Sequence, residues 1–219
     1  LICLRDTQWL SIIFYRVFLS YILEGIRMFK KACRIFVSLF ILPIFCLGAG
    51  YGTYFGGSSG EYGQKVTVDK DGYIYITGYT YSTDLPVTAG AIQSTYNSAA
   101  NSYIQDVFVA KFSPNLGSLI YCTYLGGDQA DYPTGLCVDT AGNAYVAGYT
   151  TSSTTFPVTA GAFQTTYNGG ADDGFVAKIN PTGTSLLYCT YFGGNDMDRV
   201  NGISLDSAGN IYLTGLTQS

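Results

Sequence analysis

Carboxylates are the only side chains here suited both to general acid–base work and to holding a hard cation, because the 219 residues include no histidine. Losing imidazole removes the commonest general base, the usual nucleophile–base triads and the commonest metal ligand. A carboxylate pair of the glycosidase kind remains open, so the acids are sorted by whether they recur. Asp69, Asp139 and Asp206 share one position of a repeated block, Asp106 and Asp173 share another, and Glu61, Asp131 and Asp198 each fall four residues after a paired glycine. A residue needed for one chemical step is required once; a residue needed for a turn or a contact between units is required in every unit. Repetition therefore assigns these acids to structure. It does the same for Lys111 and Lys178, expected to be solvated or paired between units. Calcium is the competing reading, since it takes oxygen ligands and "DKDG" offers Asp69 and Asp71. The counterparts "DTAG" and "DSAG" lack the second acid and no EF-hand spacing follows. No catalytic residue and no cofactor is expected, and Asp69 and Asp71 are the metal candidates that remain.

The elements that hold these acids repeat with them. Thr53, Thr123 and Thr190 mark offsets of 70 and 67 residues, and four blocks recur in fixed order. "VTVDKDG", "LCVDTAG" and "ISLDSAG" lead into "YIYITGYT", "NAYVAGYT" and "NIYLTGLT"; "DVFVAKFSPNLG" and "DGFVAKINPTG" lead into "SLIYCTYLGG" and "SLLYCTYFGG". Each block alternates with period two or is a short apolar run bounded by turn residues, which reads as a strand. Asp at the start and Gly at the end of the joints supply a local hydrogen bond and positive φ, the chemistry of a hairpin. Pro114 and Pro181 sit in turns, where no ladder donor is lost. One unit is thus four short antiparallel strands, too thin to bury both faces alone. Radial stacking of such units gives a β-propeller, so the fold class is all-β.

These blocks resemble the SBBP-type bacterial beta-propeller repeat, whose pattern runs roughly TYLGG, VDxxGNxYVxG, DxFVxKxNPxG. The resemblance spans residues 51–219 and implies propeller blades on exported or surface proteins, with no assigned catalytic activity. On this pattern Gly56, Gly57, Gly126, Gly127, Gly193 and Gly194 turn the chain from one unit into the next. Blades are expected at 64–127 and 134–194, with half a blade at 201–219. Residues 51–57 are expected to be a ring-closing outer strand whose remaining blades lie beyond Ser219. That makes about two and a half blades of an incomplete ring.

The charge distribution narrows the partners. Six of the eleven bases lie in the first 50 residues with only Asp6 and Glu24 against them, which leaves five bases and thirteen acids for the rest. A net charge of minus eight over that part excludes phosphate-backbone binding, so no nucleic acid is expected. Residues 28–50 read as a signal peptide: Lys30, Lys31 and Arg34, then an apolar run from Ile35 to Leu47, then Gly48, Ala49 and Gly50. A membrane anchor is the alternative, and any membrane contact is expected through this segment alone. Residues 1–27 read as an upstream leader or hydrophobic extension, so a hydrophobic helical segment precedes the repeats. Past it stand Cys122, Cys137 and Cys189, read as small buried thiols rather than a bridge.

The long link between second and third strands, 81–105 and 151–173, repeats "PVTAGA" and is expected to be a short ordered turn or helix packed on each blade. Its Tyr96, Tyr167, Gln93, Gln164, Asn97 and Asn168 offer stacking faces and amides of the kind that sugars and peptides accept. The expected function is a non-catalytic exported repeat protein, a scaffold or a module binding protein or glycan at the cell surface. The alternative is the propeller domain of a secreted carbohydrate-active enzyme whose active residues lie elsewhere.

Overall fold

A computed structural model describes residues 51–97 and 104–219. The chain divides into two units, Leu1–Tyr54 and Phe55–Ser219. The expected leader, signal peptide and N-terminal helical segment lie outside the described residues. The described part of the second unit is all-β. Its first sheet joins β1 (Glu61–Val68), β2 (Ile74–Thr80), β3 (Asp106–Phe112) and β4 (Leu119–Leu125) in chain order. The second joins β5 (Asp131–Val138), β6 (Ala144–Thr150), β7 (Asp173–Ile179) and β8 (Leu186–Phe192); β9 (Asp198–Leu205) and β10 (Ile211–Thr217) pair as a hairpin. Every neighbouring pair is antiparallel.

The hairpins are fixed locally and identically. The Oδ1 atoms of Asp69, Asp139 and Asp206 each accept from the backbone N–H two and four residues on, at 2.8–3.0 Å. Gly72, Gly142 and Gly209 then take φ of 84°, which only glycine adopts without strain. The first strands begin three residues ahead of the expected boundaries at 64, 134 and 201. A bulge between Gly63 and Lys65, repeated between Pro133 and Gly135, interrupts the alternation that marks a strand. It also explains how Pro133 sits inside β5.

Both faces of the sheets are buried where a neighbour is present. Val107 and Val109 of β3 pack with Phe175, Ala177 and Ile179 of β7, while Phe108, Ala110 and Phe112 face the other way. Val176 packs on Val200 of β9. This double burial is why "VFVAKF" reads as a continuous apolar run. Residues 51–57, the expected ring-closing strand, form no strand. Within the second unit, Phe55 packs on Phe108 at 5.4 Å and on Phe112 at 5.5 Å. Leu125, at the same repeat position, belongs to the same buried cluster as Phe175 of the second sheet.

Among the described residues the long link contains no helix. It runs along the outer edge strand: Thr88 donates its N–H to the Cys122 carbonyl at 3.1 Å, and Tyr124 donates to the Gln93 carbonyl at 3.2 Å. The second repeat does the same through Thr159 with Cys189 (3.0 Å) and Tyr191 with Gln164 (3.1 Å). An uncovered edge strand would template further pairing, and the link closes it. Cys122 and Cys189, buried on these edge strands, and Cys137 on β5 are free thiols.

Candidate functional site

The repeated acids and glycines build one corner at each junction between units. Gly127 N–H donates to Asp131 Oδ2 at 2.8 Å, and Gly126 N–H donates to Gln93 Oε1 at 3.0 Å. Asp131 also accepts from the Thr150 hydroxyl and, at 3.2 Å, from Ser152. Gly194 N–H and the Ser219 hydroxyl repeat these contacts on Asp198, and Glu61 accepts from Thr80 and Ser82. The third-strand acids complete the corner: Asp106 Oδ2 accepts from Asn97 N–H at 2.9 Å and Asp173 Oδ2 from Asn168 N–H at 3.0 Å. Gly126 lies between two carboxylates, its missing Cβ only 2.7 Å from Asp131 Oδ2 and 2.8 Å from Asp106 Cγ. Here a carboxylate pair does exist. Asp106 and Asp131 are both fully buried, so no substrate reaches them.

Electrostatics at the two junctions differ. Burial pushes the Asp131 carboxyl well above the usual range and also raises Asp173. Burial acts upward on Asp198 too, but hydrogen bonds from Gly194, Thr217, Ser219 and Gln218 outweigh it and hold that carboxyl low. Asp173 Oδ1 is buried without a hydrogen-bond partner and points at Gly193 beside Asp198. Asp173→Asn keeps one oxygen for Asn168 and Gln164 and removes a buried charge that Asp198 and Asp172 oppose. It is expected to raise stability at neutral pH by about 1 kcal/mol, read by urea unfolding.

Of the expected ligand-binding residues, Gln93, Tyr96, Gln164 and Tyr167 are half-buried, and Asn97 and Asn168 are exposed. Gln93 and Gln164 hold glycine N–H groups through Oε1 and donate through Nε2 to Thr95 and Thr166 carbonyls at 3.0 Å. Tyr96 and Tyr167 pack edge-on against Tyr124 and Tyr191 at 6.0 and 5.9 Å. Asn168 Nδ2 donates to the Gly193 carbonyl, and Asn97 and Asn168 give their backbone N–H to the third-strand acids. In these contacts the glutamine amides and the tyrosine rings serve the fold, while Asn97 and Asn168 remain exposed.

Asp69 likewise uses its oxygens on backbone N–H donors and on the Tyr75 hydroxyl at 3.0 Å, and Asp71 pairs with exposed Lys70 at 2.7 Å. These oxygens of Asp69 face N–H and O–H donors. Among the described residues no group of three or more acids and cysteines is placed to hold a metal. Lys111 is 7% exposed and reaches across the junction to the Pro181 carbonyl at 3.4 Å, lying over Tyr73 and Tyr75. Lys178 stays within its own repeat, 3.6 Å from Asp139 and over the Tyr145 ring.

A cleft of about 520 Å³ opens between β8 and the β9–β10 hairpin, lined by Phe163, Phe192, Val200, Leu213 and Leu216. At the preceding junction Phe156 and Phe175 pack against Leu125 in the same hydrophobic cluster. The cleft is therefore a difference in packing between junctions.

The surface that sequence reading missed is aromatic. Tyr62 stacks on Tyr79 at 4.9 Å, Tyr79 meets Tyr132 of the next repeat at 5.4 Å, and Tyr132 stacks on Tyr149 at 4.9 Å. Arg199 of the third repeat then lies 4.3 Å over Tyr149, and Tyr81 sits edge-on to both Tyr62 and Tyr79. All stand where first strands begin and second strands end. The signal was the Tyr of the repeated "GYT" block, cross-strand from the residue after the first-strand acid.

The sequence model of the SBBP family, a beta-propeller repeat, matches residues 50–86, 120–156 and 187–219. These segments hold the glycine corners, the first two strands of each repeat and every residue of the aromatic run. No curated protein matches the chain.

Proposed function

This chain belongs to the SBBP beta-propeller repeat family, and from that membership we propose that it is a non-catalytic repeat module of an exported protein. Its sheets are blades set side by side around a common centre, and they act as a scaffold or binding module at the bacterial cell surface, toward protein or glycan. The observation that carries this reading is the fate of the repeated polar residues. Acids and amides with the right chemistry for catalysis recur in each unit, and they hold turns, glycine corners and edges. A buried carboxylate bonded to backbone N–H groups is a structural acceptor, out of reach of the solvent-borne substrate that acid–base catalysis requires. The order of basic, apolar and small residues in 28–50 supports export.

The test is to express the full chain with a C-terminal epitope in a bacterial host, fractionate the cells, and assay the purified chain on chromogenic glycosides. Epitope outside the cytoplasm and no hydrolysis are expected. Retention in the cytoplasm overturns export, and turnover overturns the non-catalytic assignment.

A further inference from the structure

We infer that the tyrosine run formed by Tyr62, Tyr79, Tyr81, Tyr132 and Tyr149 is a binding site for neutral glycan chains. The inference rests on the binding-module reading above and gives that module its site and ligand class.

The hydroxyls carry the argument. Five tyrosine hydroxyls of the strands are tied to the fold, and that of Tyr121 is buried without a partner. Tyr75, Tyr145 and Tyr212 donate to the turn aspartates at 3.0–3.1 Å. Tyr124 and Tyr191 donate to the carbonyls of Ser82 and Ser152 at 2.8 and 2.7 Å. In the run, among the described residues, none of the five hydroxyls has a hydrogen-bond partner. Four of the five residues are half-buried and Tyr62 is 49% exposed, so the hydroxyls stand at the surface. Packing between repeats would be served equally by phenylalanine. What tyrosine adds is a row of hydroxyls presented to solvent, continuous from the first repeat to the second.

The geometry also selects the ligand. Tyr62 with Tyr79 and Tyr132 with Tyr149 lie nearly parallel, at 15° and 23°, so their broad faces are largely used on each other. An approaching molecule meets ring edges and phenol oxygens. A proline-rich helix needs open ring faces to dock, whereas a sugar offers hydroxyls to the oxygens and C–H groups to the apolar edges. Burial, then the neighbouring phenols, push the Tyr79 and Tyr81 hydroxyls above the ordinary tyrosine range, which keeps them protonated as donors. Arg199, at the end of the run, is held by both carboxylate oxygens of Asp172 at 2.9 and 3.0 Å from Nε, so the run offers no unpaired cation to an anionic chain.

The probes are immobilised cello-, xylo- and chito-oligosaccharides, heparin as an anionic glycan, and a proline-rich peptide, each titrated with the full chain. The wild-type chain is expected to bind at least one neutral oligosaccharide. The Tyr79→Phe/Tyr132→Phe variant is expected to bind it at least tenfold more weakly with an unchanged melting temperature, because the lost hydroxyls bond nothing in the fold. No neutral glycan bound by wild type, or equal binding by the variant, overturns the site. Binding confined to heparin or to the peptide also overturns the glycan class, yet leaves the binding-module reading standing. The fractionation test of that reading is independent of all these outcomes.

Discussion

Replacing Gly148 by alanine is expected to cost about 3 kcal/mol or more and to lower the melting temperature by roughly 10 °C. The cause is a backbone approach. A Cβ at Gly148 would lie 1.9 Å from the Tyr132 carbonyl oxygen and 3.0 Å from the Phe175 ring. Gly78 and Gly215 repeat the situation, at 2.1 Å from the Tyr62 carbonyl and 2.0 Å from that of Arg199. The bulge in each first strand drives its carbonyl toward the second strand at this point. Backbone cannot yield as a flexible side chain can, so the methyl must displace β5 and the aromatic pair built on it. Gly63 is the control. It lies in the equivalent first strand with nothing within 4 Å of its Cβ direction. Gly63→Ala should therefore change stability by less than about 0.5 kcal/mol. Equal melting of the two variants would show that the close approach carries no stability.

The hairpins were readable because everything that specifies them lies within a few residues. Asp69 bonds the N–H groups of Asp71 and Tyr73, and Gly72 turns beside them. The strand cores of β3 and β7 were readable for a similar reason, since double burial leaves an unbroken apolar run. What escaped was set at a distance. The starts of β1, β5 and β9 were hidden by a bulge whose cause is pairing with β2, β6 and β10. In the link, a glutamine amide offers the same chemistry to a sugar as to a backbone N–H, so its partner in the fold is not legible from its type. Gln93 accepts from Gly126, 33 residues away and just past the end of β4. The tyrosine run escaped because its decisive contact, Tyr79 with Tyr132, crosses from one repeat to the next. Repetition in sequence marks residues that matter in every unit, and it does not say whether they serve the inside of a unit or its joint surface.

Asp131 separates these two kinds of service by its response to pH. Asp131→Ala is expected to destabilise by about 3 kcal/mol, because it strands the Gly127 N–H and the hydroxyls of Thr150 and Ser152 in a fully buried corner. Asp131→Asn keeps an acceptor oxygen there and should cost about 1 kcal/mol or less in acid. Burial holds the Asp131 carboxyl well above its ordinary value, so the folded chain grips that proton more tightly than the unfolded chain does. Its stabilising contribution is therefore complete below the unfolded value of about 4 and is lost as pH rises through the folded value. Urea unfolding of wild type and Asp131→Asn at several pH values should show the asparagine variant gaining on wild type as pH increases. The turn acids have the opposite sign. Hydrogen bonds from the Asn210 side chain and backbone hold Asp206 below the usual range, so its contribution is present above the ordinary carboxylate value and lost as pH falls through the lowered one. Asp206→Asn should then lose ground to wild type on going from acid to neutral pH. Parallel profiles for the two variants would mean that the corner acid and the turn acid do the same work, and that burial at the junction does not set the charge of Asp131.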